Sequence, residues 1–142
     1  MECGVAAKRD FKKGRISPAV ERLIECNILL SGVGFESGGL ALAHAIANGL
    51  TILPECRAMH GEAVAFGLVV QLRLERAPEL DQVLEFCQRV GLPTTLEELG
   101  LGEISDADLQ SVANAVFRNE RNMANEQTKV TKQKLVQLMC EA

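Results

Sequence analysis

His44 and His60 are the only histidines in this sequence, and both fall inside the window "HAIANGLTILPECRAMHGE". Neutral imidazole is a common zinc ligand at about 2.0–2.1 Å, and a catalytic zinc usually keeps three protein ligands and one open position. The HExxH pattern that places two histidines on one helix face is absent, so these two rings can share an ion only by converging from separate elements. His44 falls inside one expected helix, and His60 follows a loop at the start of the next. Two antiparallel helices joined by that loop would bring the rings face to face. The alternative is one packed and one surface histidine. Even a convergent pair leaves a three-ligand site short of one donor.

The stretch "GVGFESGG" invites comparison with a dinucleotide fingerprint, but Ser37 stands where the third glycine would fall and the preceding segment has helical periodicity. That fingerprint needs a strand, a tight turn and a helix, so no nucleotide site is expected here. The glycines instead suggest a helix–loop–helix connection over residues 31–39. Such a loop would bring Phe35 and the free N–H groups of the next helix towards one place, where an anion or polar substrate could sit. The basic run "KRDFKKGR" is short, terminal and interrupted by Asp10, and residues 1–16 are expected to be a solvated or frayed end.

The elements that must position these groups are helical. Ser17-Pro18 has the signature of a helix start, and Val20, Leu23, Ile24 and Ile28 follow at helical spacing. A second helix is expected from near Ser37 to Asn48-Gly49. The segment "AVAFGLVVQLRL" is apolar all round, as a central buried helix is. Leu80, Val83, Leu84 and Cys87 form an amphipathic stripe stopped by Gly91 and Pro93. Ser105 with Asp108 resembles a capping box ahead of Leu109, Val112, Ala113, Val116 and Phe117, and a last helix starts near Thr131. No alternating strand pattern competes, so the expected fold is an all-α helical bundle of six or seven helices forming a single domain over residues 1–142.

Composition agrees. The chain has 142 residues, 47% of them hydrophobic, which suffices for one sizeable core. A net charge of −4 with dispersed charges argues against a phosphate-neutralising nucleic-acid binder. Five separated cysteines with no CxxC pair fit reduced thiols better than a disulfide framework. No signal-like or membrane-length apolar run occurs, so neither a membrane nor a nucleic-acid partner is expected, and the expected location is cytoplasmic.

The blocks "LSGVGFESGGLALAHAIANGLT" and "HGEAVAFGLVVQL", with "VGLPTTLEELG" and the terminal "NERNM" region, resemble the glycerol dehydrogenases of the iron-containing alcohol dehydrogenase family. The resemblance runs from about Ser17 to the C-terminus. It implies an oxidoreductase in which an N-terminal nucleotide-binding α/β domain and a C-terminal helical domain hold NAD and a divalent metal between them. This chain is similar to the helical domain, with the nucleotide-binding domain expected to be absent. The resemblance makes His44 and His60 metal ligands, for zinc or else iron, with an aspartate supplied from upstream of the matched region. It makes Phe35 a substrate-binding residue in a pocket for a small polyol or alcohol. No catalytic or NAD-contacting residue is expected in this chain, which alone should not bind NAD or turn over substrate. The chain departs from the family pattern at Ala47, Arg57 and Ala58. Its expected partners are copies of itself or the missing nucleotide-binding half. The alternative is a non-catalytic helical interaction module or a subunit acting in trans.

Overall fold

The computed structural model describes Met1 and residues 3–142. These residues form helices α1 (Gly4–Lys12), α2 (Pro18–Gly38), α3 (Leu42–Leu50), α4 (His60–Glu75), α5 (Leu80–Val90), α6 (Asp106–Arg118), α7 (Glu120–Met123) and α8 (Lys132–Glu141). No strand occurs among them, and the all-α expectation holds. None of these helices is by itself long and apolar enough to cross a membrane.

The centre of the core is α3, which packs on α4, α6 and α7. Leu42, Ala45, Ile46, Ala47 and Leu50 are fully enclosed, together with Phe66 and Val70 of α4, Val112 and Val116 of α6, and Leu135 and Met139 of α8. Small residues on α3 let the α4 backbone come close: a Cβ on Gly67 would fall on the Ala43 carbonyl. Such close packing is how a core of short aliphatic side chains reaches interior density. Ser105 caps α6 by accepting a hydrogen bond from Asp108 N at 3.2 Å, and Thr131 caps α8 through Lys134 N at 3.2 Å. Both start signals in the sequence therefore act as helix caps of the expected kind.

Four expectations are corrected. Residues 31–38 are not a loop: α2 continues unbroken from Pro18 to Gly38. Glycine in a helix interior costs only about 1 kcal/mol relative to alanine, and no proline or competing cap interrupts this run. The chain turns only at Gly39, whose φ of 70° lies in the left-handed region and whose Cβ would strike Asn125 Nδ2. The following helix consequently starts at Leu42, not near Ser37. The basic opening is not frayed through its length, because Gly4–Lys12 forms α1. It packs on α2 and α5, with Gly4 set against the Phe86 ring and Ala7 buried. With α1 and the short α7, the count rises to eight helices among the described residues.

Candidate metal and substrate site

His44 sits in the first turn of α3 and His60 is the first residue of α4. The connection over residues 51–59 brings the two rings together, with centroids 5.7 Å apart and planes inclined at 51°. Two imidazoles bound to one tetrahedral zinc at about 2.1 Å would hold their centroids roughly 5 Å apart. The spacing therefore suits a shared ion with little movement.

Several neighbours hold this pair in place. The close contact at Gly67 fixes the α3–α4 separation beside His44. Gln71 Oε1 accepts from Ala43 N at 2.9 Å, satisfying an otherwise free amide at the start of α3. Glu62 Oε2 accepts from Met59 N at 2.8 Å and so fixes the backbone immediately ahead of His60. The sequence gives no warning of the Gln71 contact, which spans 28 residues.

His44 is half-buried, whereas His60 is exposed. Burial, with a smaller contribution from the neighbouring His60, lowers the pKa of His44 below the ordinary imidazole value. The neutral form, which has a free nitrogen lone pair, is thereby favoured. Among the described residues no group of three or more His, Cys, Asp or Glu side chains converges to hold a metal. The chain presents two imidazoles beside open space: a Cβ on Gly61, next to His60, would touch nothing within 4 Å.

Phe35 lies in the last turn of α2 with half its surface exposed, and its carbonyl accepts from Gly39 N at 3.0 Å. It reaches its position from a helix rather than from the expected loop. Asn125 Nδ2 donates to Leu40 O at 2.8 Å and ties down the turn that carries α2 into α3. A cavity of about 570 Å³ beside the first turn of α4 is lined by Arg57, Ala58, Glu62, Gln88 and Leu92, and neither histidine lines it. Ala47, one of the departures from the family pattern, is fully buried.

A glycerol dehydrogenase of Thermotoga maritima is 48% identical over 134 residues, covering 92% of this chain and 37% of its own length. The chain is a relative of the glycerol dehydrogenases. One from Escherichia coli O6:H1 is 52% identical over 128 residues, which cover 88% of this chain and 35% of that protein. The crystal structure of a probable glycerol dehydrogenase from Sinorhizobium meliloti 1021 superposes with a TM-score of 0.91 at 38% identity, covering 97% of this chain and 40% of that one. This glycerol dehydrogenase relative therefore spans little more than a third of the proteins it matches. No family model matches the chain.

Proposed function

We propose that this chain is the metal- and substrate-binding helical portion of a glycerol-dehydrogenase-like, NAD-dependent polyol or alcohol oxidoreductase, and that it is inactive alone. The observation that carries this reading is the meeting of His44 and His60 at 5.7 Å across the α3–α4 crossing. The two side chains would supply two of the ligands to a divalent ion, zinc or else iron. When bound, such an ion lowers the pKa of a substrate hydroxyl and stabilises the alkoxide as hydride leaves for the nicotinamide. His44 contributes by remaining neutral and keeping its lone pair available. His60 contributes a ligand whose backbone is fixed by Glu62, and Phe35 offers an apolar wall for the carbon chain of the alcohol.

Titration calorimetry with zinc tests this reading. The expected result is weak binding to the chain, lost in His44→Ala and in His60→Ala, with the melting curves of both variants retained. Tight binding that survives either substitution overturns the assignment.

A further inference from the structure

Arg73, Arg76, Lys129 and Lys134 line one open cavity of about 760 Å³. They come from the C-terminal end of α4, the segment ahead of α8 and the first turn of α8. Glu75 and Glu141 also line it, so four positive and two negative side chains meet there in a chain whose net charge is −4.

Ordinary surface pairing does not account for this cluster. None of the four basic groups makes an ion pair among the described residues. Glu75 Oε1 accepts from Gln71 Nε2 at 2.8 Å, and Glu141 Oε1 accepts from Gln137 Nε2 at 2.5 Å, so each carboxylate is held by an amide one turn earlier on its own helix. Arg73 Nε is buried and has no hydrogen-bond partner, a costly state for a charged donor. The end of α4 favours cations through the helix dipole, but the first turn of α8 disfavours them, and α8 has no acidic residue there to offset Lys134. Arg76 holds a left-handed backbone with φ of 53°, a conformation that glycine adopts without strain. Helix electrostatics therefore does not explain Lys134, nor backbone preference Arg76.

What the cluster lacks is an anion. A guanidinium presents a planar fork matched to phosphate oxygens, and lysines add point charges. A phosphate monoester carries close to two negative charges at neutral pH. Leu80 and Leu138 line the same cavity and give it an apolar wall, and its volume lies within the range of small-molecule sites. At about 1.5 Å per residue, Arg73 stands about 20 Å along α4 from His60, beyond the reach of a small ligand touching both.

We infer that this cavity binds a small organic phosphate monoester, with Arg73 and Arg76 taking the phosphate oxygens, Lys129 and Lys134 neutralising the dianion, and the leucines covering the carbon skeleton.

Titration calorimetry of the chain with phenyl phosphate, at fixed ionic strength and pH 7.5, tests this, with inorganic phosphate and sodium chloride in parallel. The expected result is saturable one-to-one binding of phenyl phosphate, about tenfold tighter than inorganic phosphate and absent for chloride. Arg73→Gln and Lys134→Gln should each weaken it about tenfold. Arg76→Gly should do the same while melting no lower than the parent, because glycine suits the left-handed backbone. Arg89→Gln, which removes an arginine paired with Glu85 on α5, should bind like the parent. The inference is overturned if phenyl phosphate does not saturate, if inorganic phosphate binds equally well, or if folded Arg76→Gly keeps full affinity. It is also overturned if a short DNA duplex binds through these residues more tightly than phenyl phosphate, since a nucleic acid would then be the ligand. His44→Ala should leave phenyl phosphate binding unchanged; its loss would place the ligand at the imidazole pair and overturn the assignment.

Discussion

The α3–α4 crossing and the outer part of α2 use similar residues to opposite effect. Both combine glycine with branched aliphatics. At the crossing, Ala43 and Gly67 remove the side chains that would keep two helices apart, and Phe66, Ile46 and Leu50 fill the space around them completely. In α2, Gly32 and Gly34 meet nothing, and Leu29, Leu30 and Phe35 face solvent. Apolar composition therefore does not by itself locate a core; what matters is whether a partner surface lies within reach. The histidines meet at the crossing because the Gly67 contact and the Gln71 hydrogen bond hold α4 against Ala43 of α3, whereas the outer part of α2 has no such contacts among the described residues.

The sharpest test of this contrast uses one residue type in both regions. Phe66→Ala should lose about 3–5 kcal/mol in urea unfolding, since its ring is fully enclosed and leaves a cavity. Phe35→Ala should stay within about 0.5 kcal/mol of the parent in the same experiment. Equal losses would mean that α2 folds back onto the body of the chain.

A smaller effect is expected from Gly67→Ala. The new methyl would meet the Ala43 carbonyl and force α3 and α4 apart, at a cost of about 1–3 kcal/mol. The change should also separate the rings of His44 and His60, which a drop in zinc affinity would report. Gly34→Ala, with nothing near the added methyl, should be neutral or slightly stabilising.

The weakest effect is electrostatic. Because the folded-state pKa of His44 is lowered, chiefly by burial and then by His60, protonation favours the unfolded chain. This stability contribution is complete above the ordinary imidazole value of 6.5. It is lost as pH falls through the lower folded-state value. Melting temperatures measured from pH 7.5 down to 5 should fall more steeply for the parent than for His44→Gln. Parallel curves would show that His44 is not desolvated at the crossing.

Much of this arrangement was legible in the sequence. Pro18, the Ser105 and Thr131 caps and the Gly91 stop act within one helical turn, so their residue types set the boundaries directly. The helix-to-loop-to-helix placement of His44 and His60 was legible for the same reason. The glycines at positions 32, 34 and 38 misled because glycine permits a turn without requiring one. Only Gly39 uses that freedom, and the side chain packed against it, Asn125, is 86 residues away in the chain. The N-terminal helix was missed because its anchors, Gly4 on Phe86 and the buried Ala7, are tertiary contacts that carry no local signal.

By itself the sequence determined the helical class, the main caps and stops, and the presence of two imidazoles on consecutive helices, because these depend on short-range periodicity and local hydrogen bonding. Tertiary structure alone decided that the two rings stand 5.7 Å apart, that Gly67 is where α3 and α4 touch, and that α2 runs straight through its glycines with its outer apolar side chains exposed. These are distances and vacancies between segments remote in the chain, and no local pattern of residues encodes them.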